Sequence, residues 1–509
     1  MSSVFKQKDE RGHDTEHSVG RRASSGKTRQ FAKNSFWLVV STAIIMIVGA
    51  TYRPIIARFL GPTEYGQYAF IQVFIAYFLL AASFGIRAVV MREIGRDAEE
   101  THAYLSAAYK LRSITTVSAI AVCCATGYLL NRSEQVTLGI YVLSLSIVGM
   151  MAADLFEAIL ISFQRSFYIA VASLVGNLLR LGLGVTVLMA GYGLIGVLWV
   201  FVFSSSVTAA ITWYFMRKVL REKNVHPLER GKGEASKVRY VLKEALPFFV
   251  IGIAGKFYAK NDIFFLALMR GDKVTGLYSV AYVVVDILIK VGSSIYWAAY
   301  PIVSRLYADE KQGRATMRLP EAYERLHKHM LMLFLPISVL LMSFGKEMLL
   351  LIFGKAYLGG LSALNVLVWI PVAEVSCLVS GNFLAATYRQ GLEARIGLAM
   401  ALVNVVWTVS FIFLYGALGA AIATIGASTI NAVVRFYYIG RSLGAISSVT
   451  AWVKPILCAA LVMPVVWFTS DMFWISRLGI LIGAFVAATL IVRPYDSEDR
   501  RMLLSVFGR

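Results

Sequence analysis

The sequence predicts an all-α polytopic membrane protein with fourteen transmembrane helices, and three observations support this fold class. The chain is 58% hydrophobic over 509 residues, which is more apolar surface than a water-soluble protein of this size can bury. Apolar segments of about 19–28 residues, the length that a tilted helix needs to cross a bilayer, recur along the chain. Lysine and arginine collect in alternate loops, as they do on the cytoplasmic side of membrane proteins.

The predicted spans fall into groups of six, six and two, separated by polar segments. Polar, mixed-charge composition at the N-terminus is typical of disorder, so that segment is read as a tail. The predicted organisation, in chain order, is a disordered cytoplasmic tail (1–33), an N-terminal lobe of six spans (34–219), a basic cytoplasmic linker (220–244), a C-terminal lobe of six spans (245–441), two further spans (442–492) and a cytoplasmic tail (493–509).

The orientation follows from the positive charges. The break between the two lobes is rich in lysine and arginine, whereas the loops around Gly191, Gly416 and Asp471 carry almost none. This pattern places both termini in the cytoplasm. It also accounts for the formal net charge of +20 without nucleic acid as a partner; membrane lipids are the expected surroundings.

An internal repeat links the two lobes. The motif G-x-x-x-x-G-x-Y begins at Gly61 and again at Gly271, so that its second glycines are Gly66 and Gly276. Each copy forms the turn of the first hairpin in its lobe, where glycine permits a tight bend. Because six helices separate the copies, the lobes are predicted to be parallel repeats, as in transporters that rock two halves around a site. The four glycines are therefore predicted to be hinge or turn residues.

Several motifs occur in an order that resembles a known family: RFLGPTEYGQYAF after the first span, REIGR after the second, GLYSVAY in the eighth and FGKAYLGG before the tenth. Over residues 34–492 the chain resembles the Wzx-type polysaccharide flippases. These belong to the multidrug/oligosaccharidyl-lipid/polysaccharide exporter superfamily, with the MATE exporters and the lipid II flippase MurJ. Pro247 followed by Asp262 in the seventh span also resembles the family, whereas Lys256 and Lys260 depart from its usual pattern there.

The resemblance implies a function. It implies that undecaprenyl-diphosphate-linked oligosaccharides move from the cytoplasmic to the periplasmic leaflet, by alternating access, for O-antigen, capsule or exopolysaccharide biosynthesis. A polysaccharide polymerase and chain-length machinery are the partners it implies beside the lipid-linked substrate.

Four cations in the predicted spans are candidates for substrate binding: Arg53, Arg180, Lys256 and Lys260. A charge near the bilayer centre is costly, so these residues need a protein or water environment. Cations that line a wet cavity would lower the barrier for a diphosphate. Lys256 and Lys260 are four residues apart and share one helix face. The alternative is that these cations pair with nearby acids; Arg53, which precedes Pro54, could also extend outward to the interface.

Four acids in the spans have two interpretations. Asp154, Glu157, Asp262 and Glu374 either couple transport to a cation or proton, or pair with neighbouring cations for structural reasons. For Asp154 and Glu157, which share one helix face, pairing with Arg180 is the favoured interpretation.

A further acid and base are predicted to neutralise each other. Asp286 and Lys290 are spaced i, i+4 on one helix, the spacing of an internal ion pair, so they are predicted to be structural. The four cysteines lie in apolar helices without a C-x-x-C pattern, and no histidine falls inside a span. The sequence therefore predicts no metal, no cofactor and no catalytic residue.

Three rival functions remain. A MATE-like exporter of small organic cations would have a site dominated by unpaired acids, whereas here cations at least balance the acids. A membrane glycan polymerase or acyltransferase would need a large outer loop or an intramembrane histidine, and the sequence offers neither. A scaffold without transport would leave the intramembrane charges unexplained. We therefore predict a transporter without enzymatic activity.

Overall fold

The structure is a computed structural model that describes residues 3–96, 101–223, 234–315, 317–443, 450–495 and 499, and these are helical with no β-strand. Within these ranges the side chains are described from Phe36 onward, apart from those at 38, 102, 234–236, 251, 254, 257, 442–443 and 450–451. The helices, with a 3-10 helix at Lys355–Gly360 before α12, are α1 (Ser3–Ser83), α2 (Ile86–Arg96), α3 (Thr101–Leu129), α4 (Glu134–Ser144), α5 (Ser146–Ser162), α6 (Ser166–Met189), α7 (Gly193–Glu222), α8 (Glu234–Arg270), α9 (Asp272–Lys311), α10 (Leu319–Ser343), α11 (Gly345–Ile352), α12 (Leu361–Leu367), α13 (Ile370–Ala386), α14 (Gln390–Leu443), α15 (Thr450–Phe468) and α16 (Trp474–Val492).

The described helices confirm a polytopic membrane protein. Ten helical stretches are long and apolar enough to cross a bilayer. Two of these, Val39–Arg96 and Gln390–Arg441, are long enough for two spans each, and their helices leave helical geometry at Gly61 and Gly416. The charged helix α8 and the shorter apolar helix Trp452–Phe468 account for the remaining predicted spans. The all-α fold class is thus confirmed.

The chain divides into two compact units. The first unit comprises Met1–Tyr52 and Ile75–Gly252, and the second comprises Arg53–Phe74 and Ile253–Arg509. This division differs from the lobes read from the sequence, because residues 53–74 belong with the second unit and the first part of α8 with the first unit. The lobe boundaries at 34–219 and 245–441 stay a prediction.

The ends of the chain and the linker are only partly described. The structure continues α1 back to Ser3, where the sequence predicted a disordered tail over residues 1–33. That stretch is polar and charged, without an apolar face that packing could bury, and its disorder stays a prediction. Residues 224–233 of the basic linker, and the C-terminal tail apart from 493–495 and 499, lie outside the described residues.

Apolar helix packing holds each unit together. In the first unit, buried side chains such as Val89 of α2, Leu105 of α3 and Leu155 of α5 form one cluster. In the second unit, α10 contributes to two clusters, one around Tyr323 and Phe383 and one with α15 and α16. Within a bilayer, such packing stabilises mainly through van der Waals contact, since lipid is as apolar as the helix surfaces.

The repeated hairpin turns have matching backbone conformations. Gly61 (φ 72°, ψ 174°) and Gly271 (φ 83°, ψ 174°) both have positive φ, which favours glycine. A few residues further on, the second glycines of the two motifs pack against each other's backbone within the second unit. A Cβ atom built at Gly66 would lie 1.8 Å from the Asp272 carbonyl oxygen, and one at Gly276 would lie 1.8 Å from the Pro62 carbonyl oxygen.

The close contact at Gly66 and Gly276, which we call the glycine crossing, predicts that a larger side chain at either position destabilises the protein. Gly66→Ala or Gly276→Ala is expected to force the two helices apart and to destabilise the protein by about 1–3 kcal/mol, the usual cost of overpacking. Because both glycines serve one contact, the double variant should lose less than the sum of the single losses. The measurement is the melting temperature of the purified protein in detergent.

Gly182→Ala is the control for the crossing, since a Cβ atom at Gly182 meets nothing within 4 Å. The prediction fails if the Gly66 and Gly276 variants melt at the same temperature as the Gly182 variant.

Candidate functional site

The helix α8 is interrupted at Lys260, whose backbone (φ −148°, ψ 19°) leaves the helical conformation. An interruption inside a membrane protein frees backbone polar groups that need new partners. Asp262 supplies one of these partners, because its Oδ1 accepts a hydrogen bond from the Ile263 backbone N–H at 2.8 Å. Its other oxygen accepts from the Tyr278 hydroxyl at 2.6 Å. With 1% exposure, Asp262 is held by neutral donors next to the interruption.

The Asp286 carboxylate on α9 joins two cations from other helical segments of the second unit. Its Oδ2 accepts from Arg53 Nη1 of α1 at 3.1 Å, and its Oδ1 accepts from Lys260 Nζ of α8 at 2.8 Å. The three side chains are partly exposed, at 39% for Arg53, 17% for Asp286 and 29% for Lys260. Two of the four predicted binding cations therefore meet at one carboxylate.

This arrangement corrects the predicted pair of Asp286 and Lys290. Within the part of the chain that the structure describes, Lys290 is exposed and makes no ion pair within 4 Å. An i, i+4 pair on one helix contributes only about 0.2–0.5 kcal/mol. Arg53 and Lys260 instead approach the carboxylate from neighbouring segments and occupy one oxygen each, so they displace the local partner.

Lys256 lies one helical turn before Lys260 and is likewise exposed, without an ion pair among the described residues. We call this group the cation cluster, and its members are Arg53, Lys256, Lys260 and Lys290 with the carboxylate of Asp286. Asp262, which interacts electrostatically with Lys260, is a second carboxylate close to the cluster. Four cations against two carboxylates leave an excess of positive charge. The group belongs entirely to the second unit.

A separate ion network lies in the first unit. Asp154 of α5 accepts from Arg87 of α2 at 2.7 Å and from Arg112 of α3 at 2.6 Å. Glu157, one turn along, accepts from Arg87 at 3.2 Å. These contacts tie three helices together, as expected of a structural network, since each carboxylate has a charged donor.

The structure thus gives the two acids of α5 other partners than the expected Arg180. Helix geometry explains the difference. Measured from the short connection between α5 and α6, Asp154 lies roughly 12 Å along α5 and Arg180 lies roughly 21 Å along α6, so the two side chains are at different levels. Arg180 donates to the Ser204 hydroxyl at 3.1 Å and lies 4.0 Å above the Phe201 ring. Its predicted role in substrate binding stays a prediction.

Glu374 of α13 lies in a third polar group, within the second unit. It accepts hydrogen bonds from the Tyr258 hydroxyl at 3.2 Å and from the Ser428 hydroxyl at 2.9 Å. Nearby, Arg435 of α14 is paired with Glu393 and donates to the Asn431 side chain at 2.8 Å. Whether Glu374 couples transport to a cation stays a prediction.

Sequence reasoning missed Arg435 and the first-unit arginines for different reasons. Arg435 stands in an apolar run and was recognisable as an intramembrane charge. The positive-inside pattern explains arginines near the ends of spans without any further role, so Arg87 and Arg112 do not stand out in the sequence, although both donate to Asp154.

Fold and site together define a multi-pass membrane protein with a cation-rich polar group inside its second unit. Residues 31–307, more than half of the chain, match the family model described as polysaccharide biosynthesis protein. The chain therefore belongs to the polysaccharide biosynthesis protein family.

Individual relatives agree with this family. A curated relative, the probable low-salt glycan biosynthesis flippase Agl15 of Haloferax volcanii, is 21% identical over 426 residues, which cover 80% of this chain and 83% of the relative. Among solved structures, the lipid II flippase MurJ in an inward closed conformation superposes with a TM-score of 0.74 at 15% identity, covering 92% of this chain and 99% of that chain. An inward-facing multidrug resistance MATE family transporter of the MOP superfamily gives a TM-score of 0.65 at 16% identity, covering 80% and 98%. At these identities the structural matches establish the fold.

Proposed function

We propose that this protein is a flippase that moves polyprenyl-diphosphate-linked oligosaccharide repeat units across the cytoplasmic membrane of a bacterium for surface polysaccharide biosynthesis. The observation that carries the proposal is the cation cluster, in which Arg53 and Lys260 share one carboxylate while Lys256 and Lys290 have no ion pair among the described residues. Family membership supports a role in polysaccharide biosynthesis, and the curated relative is itself named a flippase.

The diphosphate group of the substrate carries the negative charge that must cross the membrane. Moving an isolated ionised group from water into a low-dielectric medium costs many kcal/mol, so an anionic head group needs fixed positive charge along its path. Lysine ammonium groups act as mobile point charges and the arginine guanidinium can bind a phosphate with two hydrogen bonds. The cation cluster supplies both kinds of donor from three helices.

Asp286 fits this role as a resident counter-ion. While no substrate is bound, its carboxylate accepts hydrogen bonds from both Arg53 and Lys260 and balances one of their two positive charges, which lowers the cost of holding them inside the protein. A diphosphate presents several anionic oxygens that can take over the same two donors. Because Asp286 stays in the site, the bound diphosphate adds its own negative charge, which the excess of cations in the cluster can balance.

The remaining parts of the proposal concern the transport cycle, the orientation in the membrane and the partners. The sugar and diphosphate occupy the polar interior while the prenyl chain stays in lipid, and alternating access exposes the site to each side of the membrane in turn. Both termini are placed in the cytoplasm. No covalent bond is made or broken in this cycle, so the activity is transport. A polysaccharide polymerase and chain-length machinery are the proposed downstream partners.

A MATE-like exporter of small organic molecules is the second candidate. It is favoured by the MATE-like fold and by Glu374, an acid of the second unit that accepts hydrogen bonds from two hydroxyl groups. The excess of cations around Asp286 disfavours it, because an organic cation would be repelled there.

Deletion of the gene tests both candidates. A flippase deletion is expected to abolish surface polysaccharide and to accumulate lipid-linked oligosaccharide in the cytoplasmic leaflet, with unchanged susceptibility to organic cations. Restoration by the wild-type gene is the control. Normal surface polysaccharide together with increased susceptibility to organic cations would contradict the flippase and establish the exporter.

A further inference from the structure

One face of α9 supports the interruption of α8 over three successive turns. Tyr278, Tyr282 and Asp286 are spaced four residues apart and therefore lie on the same helix face. Tyr278 donates to Asp262 just after the interruption, and Asp286 accepts from Lys260 at the interruption itself. Tyr282 lies between Tyr278 and Asp286 on this face, and the proposed substrate-binding mechanism gives it no role.

Tyr282 makes two contacts at the interruption. The Lys260 ammonium nitrogen lies 3.5 Å from the centre of its ring, well within the distance of a cation–π interaction. Its hydroxyl lies 3.5 Å from the carbonyl oxygen of Ala259, the residue that precedes the interruption. The ring is 5% exposed and the Lys260 side chain is 29% exposed, so the contact is partly shielded from water. Cation–π interactions become stronger as water is excluded.

The ring differs from a carboxylate in one important respect. A carboxylate holds an ammonium group and cancels its charge, whereas an aromatic ring holds it through a quadrupole and leaves the positive charge in place. When an anionic substrate displaces Asp286 from Lys260, the ring still fixes the ammonium group. Lys260 then stays at its position with its charge available to the substrate.

We propose that Tyr282 is a positioning residue of the cation cluster, which holds the charged Lys260 side chain in place for the anionic head group. The proposal rests on the proposed function for the identity of that anion. The contact between Tyr282 and Lys260 itself does not depend on it, so the two can be tested separately.

The first measurement detects the contact directly, without substrate. In protein labelled with ε-13C-lysine, the Lys260 side-chain NMR signal, assigned by its loss in Lys260→Arg, is expected to be shifted upfield by the ring current of Tyr282. Tyr282→Phe should retain the shift and Tyr282→Leu should remove it. If the leucine variant does not fold, Tyr282→Met offers a side chain of closer volume. A wild-type Lys260 signal without an upfield shift would overturn the proposal.

The second measurement connects the contact with binding, using farnesyl diphosphate as the probe and farnesol as its uncharged counterpart. Tyr282→Leu is expected to weaken probe binding about tenfold, the order of a desolvated cation–π interaction, while Tyr282→Phe stays within about twofold of wild type. In a Lys260→Gln background the leucine substitution should add no further loss, since the two residues act through one contact.

Tyr323→Leu is the matched control, because it removes another buried tyrosine of the second unit, one that contacts Ser380, His327 and Phe383. Both leucine variants should lose thermal stability, but only Tyr282→Leu should lose affinity for the probe. Equal loss of affinity in both, or a full loss in the Lys260→Gln background, would assign Tyr282 a general structural role and overturn the proposal. If the wild-type protein shows the ring-current shift but does not bind farnesyl diphosphate, the contact is present and the proposed function is contradicted.

Discussion

Replacing Lys256 and Lys260 together by glutamine is expected to abolish surface-polysaccharide export while protein abundance stays at the wild-type level. Two charge-assisted hydrogen bonds to the diphosphate are lost, at about 1.5–3 kcal/mol each, which corresponds to a loss of affinity on the order of a hundredfold or more. The fold should tolerate the change, because Lys256 has no ion pair among the described residues and Asp286 keeps Arg53 as its partner. Export is measured by surface-polysaccharide staining and abundance by immunoblotting of membranes.

The control replaces Lys346 and Lys355 together by glutamine. Both are exposed lysines of the second unit outside the cation cluster, so the total charge changes equally in the two variants. Export should be normal in this control. Wild-type export by the Lys256 and Lys260 variant would remove both lysines from the mechanism.

Asp286→Asn is expected to have the second large effect, on both stability and turnover. The substitution leaves Arg53 and Lys260 without their shared counter-ion, which should destabilise the protein by about 1–3 kcal/mol. The loss is smaller than for a fully buried pair, because the Arg53 and Lys260 side chains are 39% and 29% exposed. Affinity for an anionic probe should rise and the transport rate should fall, since no resident anion competes for the two cations.

The measurements for Asp286→Asn are the melting temperature of the purified protein, the Kd for farnesyl diphosphate and the transport rate. Lys290→Gln is the matched comparison one turn along α9. Because Lys290 does not pair with Asp286 in the structure, its substitution should leave the melting temperature unchanged. Equal destabilisation by both substitutions would restore the local pair and contradict the assignment of Arg53 and Lys260 as the partners.

The fold could be predicted from the sequence because the membrane restricts which backbone conformations can cross it. Every backbone polar group in lipid must be satisfied internally, so long apolar segments become helices. The glycine motif was recognisable as a repeat, and Gly61 and Gly271 do share one backbone conformation with positive φ. The close crossing of Gly66 and Gly276 was not predictable, because the motif shows where the glycines are but not which helix packs against them.

The charged groups could be found in the sequence, but their partners could not. Asp286 was matched with Lys290 because only local spacing is visible along one helix. Its actual partner Arg53 lies 233 residues away, and nothing in the spacing of the chain indicates that contact. Tyr282 was missed for another reason, since an aromatic residue in an apolar span is usually part of the packing.

The central claim is that the cation cluster carries the anionic head group of a lipid-linked oligosaccharide. Its most direct test is translocation in proteoliposomes that contain the purified protein and a fluorescent, short-chain polyprenyl-diphosphate-linked disaccharide, with leaflet exposure read by a membrane-impermeant quencher. We expect the wild-type protein to move the lipid between leaflets, and the variant with Lys256 and Lys260 replaced by glutamine to be no faster than empty vesicles. Equal rates for wild type and variant, or no translocation by the wild-type protein, would contradict the account.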